Sequence, residues 1–174
     1  MPKKETIRRV KKMKREGKSP STQAGEFIKE TMDEIREGKI GARSTKQAIA
    51  IGLSKARRAG VDLPPPAKGK TSEKTRKNAE RAYRAGQKDS ENPVNPRRSK
   101  ATTKALQREG HAAASHESLS RQAKRQAAKR TPEERSAIAR KAARTRLAHQ
   151  TPAERRAIAR KAARTRKMHA KGST

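Results

Sequence analysis

Phe27 and Tyr83 are the only aromatic side chains in 174 residues, and no feature of the chain limits its folding more. Large aromatic and branched side chains supply most of the apolar area that a core removes from water. Here hydrophobic residues make up only 29% of the chain, and many of them are Ala. Lys and Arg number 48 against 17 Asp and Glu, a formal net charge of +31. Low hydrophobicity at high net charge leaves too little burial to offset the entropy of ordering the whole chain. The expectation is therefore an all-α protein with a small N-terminal helical unit. An extended, partly disordered basic helical arm would follow, ordered by its ligand.

The larger apolar residues cluster in residues 1–60, which hold 17 basic and 7 acidic side chains. Ile7, Val10 and Met13 predict a helix from about Lys4 to Glu16, stopped by Gly17. Ala24, Phe27, Ile28, Met32 and Ile35 predict a second from Thr22 to Glu37, closed by Gly38. Its opposite face carries Glu26, Glu30, Asp33, Glu34 and Glu37, so it is acidic between basic neighbours. Ser44 and Gln47 have capping-box spacing at the start of a third helix, striped by Ile49, Leu53 and Ala56. Gly60 would end it, with Val61 folding back onto the last turn.

Residues 61–98 read as Pro-rich linkers, Pro64–Pro66 and residues 89–98, flanking one helix at 72–87. From Ser99 the chain becomes an Ala-, Lys- and Arg-rich arm, with short helices expected at Lys100–Glu109 and Glu117–Lys129. Residues 131–146 (TPEERSAIARKAARTR) and 151–166 (TPAERRAIARKAARTR) then form a tandem repeat of period 20. Each opens with a complete helix-start signal: Thr131 or Thr151 as N-cap, Pro132 or Pro152 next, and Glu134 or Glu154 closing a capping box. One Ile per repeat is too little for a core, so an anionic surface is the expected support. Phosphates would relieve the Arg–Arg repulsion at i, i+4.

A positive excess of this size calls for a polyanion. The phosphate-binding candidates in the arm are Arg121, Lys124, Arg125, Arg140, Lys141, Arg144, Arg146, Arg160, Lys161, Arg164 and Arg166. On the third helix they are Arg43, Lys46, Lys55, Arg57 and Arg58. A helix-turn-helix joins its helices through 3–4 residues. The gap from Gly38 to Arg43 is longer, so an amphipathic bundle helix is the simpler reading of the third helix. Nothing marks a base-reading side chain. Asn95-Pro96-Arg97-Arg98-Ser99 has the look of a minor-groove arm but lacks the flanking glycines of an AT-hook.

Other function classes fare worse. Two aromatics argue against base stacking on single strands, although structured RNA held by charge stays open. A membrane-active helix would need Trp, Phe or Leu on its apolar face. No Cys is present, and His111, His116, His149 and His169 lack metal-ligand spacing, so neither a metal nor another cofactor is expected. No nucleophile–base pattern suggests an enzyme or a small-molecule substrate. No apolar run approaches a membrane span. The expected setting is the cytoplasm, at the nucleoid, with DNA favoured over RNA. The acidic face of the second helix could alternatively meet a protein.

Lys14–Pro20 (KREGKSP) and Gly41–Gly60 (GARSTKQAIAIGLSKARRAG) resemble a family of small basic bacterial proteins without an assigned activity, often labelled hypothetical or DNA-binding. The likeness covers roughly residues 1–85 and implies membership more than function. The tail is similar in composition to those of linker-histone-like bacterial proteins.

Overall fold

A computed structural model describes residues 2–87 and 95–171, with side chains to Met168. The break expected at 89–98 lies largely outside the described residues, which begin again at Asn95. Among the described residues the chain is all-helical, with eight α-helices and no strand.

Three helices build the centre: α1 (Lys4–Arg15), α2 (Pro20–Arg36) and α3 (Thr45–Arg58). Ser19 and Ser44 cap α2 and α3 by accepting the amides of Thr22 and Gln47 at 3.4 and 3.3 Å. The capping box of α3 is displaced by one residue. Gln47 Oε1 accepts the amide of Arg43 at 3.0 Å, outside the helix start. All three helices stop in the same way. Gly17, Gly38 and Gly60 take the left-handed conformation (φ 68°, 72° and 81°) that side-chain-bearing residues avoid. The next amides, of Lys18, Lys39 and Val61, bond back to Met13, Glu34 and Ala56, so orphan carbonyls are satisfied.

Two apolar clusters hold this centre. Val10, Ala24, Phe27, Ala56 and Val61 form one, with Leu53 and Leu63 against it. Met32, Ile35, Ala42, Ala48, Ala113 and Ala114 form the other, with Ile28, Ile40, Ile49 and Leu119 alongside. Such small side chains fill a core only if the backbones approach closely. Gly52 makes this possible: a Cβ there would lie 2.7 Å from the Cα of Ile28. Gly86 does the same on the other side of α3, where a Cβ would collide with the Arg57 carbonyl.

The packed unit is larger than residues 1–60, for two reasons. First, α4 (Glu73–Gln87) packs against α3 through Ala79 and Ala82 instead of standing free between linkers. Tyr83 adds a hydrogen bond, donating its hydroxyl to Asp62 at 2.6 Å. Second, the chain after α5 (Pro96–Gln107) returns to the α2–α3 junction. The amides of Gly41 and Ala42 donate to the carbonyls of Leu106 and Gly110 at 2.8 and 2.9 Å. Thr45 and Arg36 donate to the carbonyls of Ala113 and Ala114, which sit in a 3₁₀ turn at Ala112–Ala114. The first compact unit thus spans Met1–Ala123, and the second Lys124–Thr174, the division falling within α6 (His116–Ala128).

In the second unit, α7 (Pro132–His149) and α8 (Pro152–Lys171) coincide with the two repeats. Thr131 and Glu134 form the full reciprocal capping box, at 3.2 and 3.0 Å. Thr151 and Glu154 repeat it at 3.3 and 2.8 Å. Among the described residues neither helix buries a side chain; Ile138 and Ile158 stay about half exposed, at 48% and 51%.

Candidate nucleic-acid interface

The sixteen candidate cations occupy three different environments. Lys55 and Arg57 are built into the first unit. Lys55 Nζ sits between Glu30 (3.4 Å) and Glu34 (2.6 Å), with only 17% of its side chain exposed. Burial alone would raise the pKa of Glu30. The Thr6 hydroxyl, the Lys55 charge and the Lys3 amide together outweigh it and hold that carboxyl below its ordinary value. Arg57 is buried, and its guanidinium donates to the carbonyls of Leu63 and Pro64 at 3.0 and 3.3 Å. Burial lowers its pKa from the usual value, though a guanidinium keeps its proton. These two residues serve the fold and are not free to reach phosphate, a correction to their place among the candidates.

The rest of α3 divides. Lys46 and Arg58 are exposed, while Arg43 is exposed but pairs with Glu109 at 3.2 Å. A recognition helix would need these cations on one open face. Arg43 precedes α3, Lys46 and Arg58 sit at its two ends about 120° apart, and a helix packed against both α2 and α4 is left as a bundle helix.

The acids of α2 are also spoken for. Glu26 pairs with Arg9, Asp33 with Lys29 and Arg36, and Glu37 with Lys39. Glu30, expected on an exposed face, is instead only 4% exposed. An acidic docking face for a protein partner is therefore largely neutralised from within.

The arm is the third environment. Arg121 is exposed and pairs with Glu117 at 3.5 Å. Lys124, Arg125, Arg140, Lys141, Arg144, Arg146, Arg160, Lys161, Arg164 and Arg166 are all exposed and, among the described residues, enter no ion pair. Residues 124–174 contain 17 Lys and Arg but only Glu133, Glu134 and Glu154. Hydrogen bonds at their helix starts hold Glu133 and Glu154 below the ordinary carboxylate pKa. The available negative charge is thus spent on the N-termini, where it complements the helix dipole.

The cations do not keep to one side. At 100° per residue, Arg140 and Arg144 lie opposite Ile138 and Ala142, but Lys141, Arg135 and Arg146 fall within about 80° of Ile138. The result is a helix charged almost all round. Such helices are stable only with compensating partners. Lys129, Arg130, Arg135, Arg155, Arg156 and Lys167 share this exposure and belong with the candidates; bulk charge was their only signal.

Elsewhere the described residues offer little chemistry. No group of three His, Asp or Glu is placed to hold a metal. Tyr83 is half-buried with its hydroxyl engaged, which spoils it as a stacking platform. Asn95 caps α5 by accepting the amide of Arg98 at 3.1 Å, so the minor-groove-like turn is a helix start. No described helix is long and apolar enough to cross a membrane.

No curated protein and no solved structure matches the chain. Residues 4–68 match a family of unknown function (DUF6496), a stretch that takes in α1 to α3 and the proline turn and ends before α4 and the arm.

Proposed function

We propose that this chain is a non-enzymatic, sequence-tolerant DNA-binding protein that works at the bacterial nucleoid, bridging or compacting duplexes. The observation that carries this reading is the uncompensated charge of α7 and α8. Their cations surround two pre-capped helices, and no described carboxylate pairs with them. A helix charged on several sides suits a groove, whose walls are both lined with phosphate. Phosphate contacts of this kind position a protein without reading bases. Part of the helical order would be completed only on the duplex.

The test neutralises Arg140, Lys141, Arg144, Arg160, Lys161 and Arg164 to Ala and follows binding to a labelled duplex over a salt series. Each lost phosphate contact should lower the salt slope by about 0.9. Unchanged affinity and slope would remove the arm from the interface. Competition with a structured RNA decides the second reading, an RNA- or ribosome-associated protein, which the scarcity of aromatics leaves open only for structured RNA. Helicity followed by circular dichroism should rise on binding.

A further inference from the structure

We propose that the folded unit carries a second, independent duplex-binding surface: an exposed stripe of Lys4, Arg8, Lys11 and Arg15 along α1. None of these residues was marked by the sequence as a phosphate contact, because Ile7, Val10 and Met13 make α1 look like a simple amphipathic packing helix.

The structure divides α1 lengthwise into three strips. One is buried, with Thr6 and Val10 against α2. A second is compensated: Arg9 pairs with Glu5 at 2.9 Å and with Glu26 at 3.0 Å, and Lys12 with Glu16 at 4.0 Å. The third contains Lys4, Arg8, Lys11 and Arg15, all exposed and, among the described residues, without a carboxylate partner. Their spacing of four, three and four residues confines them to an arc of about 60°. Lys11 and Arg15 also line an open recess together with Lys14.

Glu5 and Glu16 therefore both serve the flank and neither serves the stripe. Like charges at i, i+3 and i, i+4 repel, so the stripe is unfavourable in the free helix. It spans about 16 Å, which suits a linear polyanion better than a single phosphate group. A membrane surface is a poor fit, because the apolar side of α1 is turned inward against α2. A duplex backbone offers regularly spaced charge and no demand for apolar insertion. With the arm, this surface would make the protein bivalent, although the stripe stands whether or not the arm binds.

The full chain with Lys4→Gln, Arg8→Gln, Lys11→Gln and Arg15→Gln tests the assignment. The control removes the same charge from other exposed positions: Lys68→Gln, Lys70→Gln, Lys74→Gln and Lys77→Gln. Both are titrated with a 30-base-pair DNA duplex over a salt series, and circular dichroism confirms that helicity is kept. The stripe variant should lose about 3 to 4 units of salt slope, and the control much less. Equal slopes in stripe variant and control, or a stripe variant indistinguishable from wild type, would overturn the proposal. A loss seen with an RNA duplex but not with DNA would overturn the DNA assignment. Combining the stripe and arm substitutions separates the two surfaces, since the stripe effect should persist in the arm-neutralised chain.

Discussion

The two compact units handle positive charge in opposite ways. Residues 1–123 carry 31 Lys and Arg and 14 Asp and Glu, and most of those acids sit in ion pairs, including a buried one at Lys55. Residues 124–174 carry 17 Lys and Arg and only 3 Glu, two of which close the capping boxes of α7 and α8. The first unit uses charge to hold its helices together. The second uses local backbone chemistry to start its helices and leaves its cations to an outside partner. Stability in the first therefore rests on tertiary contacts, and in the second on capping and helix propensity.

That contrast is most severely tested at Phe27, which is fully buried in the first unit. Phe27→Ala should cost about 3 to 5 kcal/mol, enough to melt a small unit. Thermal unfolding followed by circular dichroism should lose its cooperative transition, leaving the arm's non-cooperative helical signal. A transition that survived unshifted would mean that the two apolar clusters are not the source of cooperativity.

The Glu30–Lys55 pair comes next. Glu30→Gln should destabilise the first unit by about 2 to 3 kcal/mol, at the low end for a broken buried pair because Glu34 still faces Lys55. The pH dependence has a definite sign. The folded carboxyl lies below its ordinary value of 4.5. Its stabilisation is complete above that pH and is lost as the pH falls through the folded value. Denaturant midpoints between pH 7 and pH 3 should fall more steeply in wild type than in Glu30→Gln; parallel curves would count against the pair.

Gly52→Ala should cost about 1 to 3 kcal/mol, since the added methyl would press on the Ile28 backbone and push α2 from α3. A chemical-denaturation midpoint equal to that of wild type would show that the crossing can open without loss. The smallest effect belongs to the arm. Thr131→Ala with Thr151→Ala should weaken each helix by about 1 kcal/mol, lowering helicity without moving the melting of the first unit. A shift in that melting would show that the two units do not fold independently.

Much of this arrangement was readable in the sequence, and the gaps have physical causes. The three C-terminal glycines and the Thr-Pro helix starts were plain, because caps are local chemistry. Ser19-Pro20 repeats the Thr131-Pro132 pattern, yet α2 was expected from Thr22 because its apolar spacing starts only at Ala24. Ala112–Ala114 gave no signal, since alanine is small enough to be buried or exposed without altering any periodicity. The fates of Lys55 and Arg57 were hidden for another reason. Long basic side chains look alike in sequence whether they lie over an apolar surface or reach into solvent. The one clue was Glu30 and Glu34, four apart beside the apolar stripe of α2. At the candidate interface, charge marked the arm, but the separation of free from compensated cations needed three dimensions.

Arg57 has a further consequence for the segment that follows it. Prolines 64–66 have no amide hydrogens, and the turn before them offers carbonyls that need donors. The Arg57 guanidinium supplies these to Leu63 and Pro64, while Asp62 anchors Tyr83 of α4. What reads as a spacer is thereby pinned at its start by two elements of the bundle, and the length of that start becomes part of the fold: residues could be added to the outer bend near Gly69 far more freely than between Asp62 and Pro64.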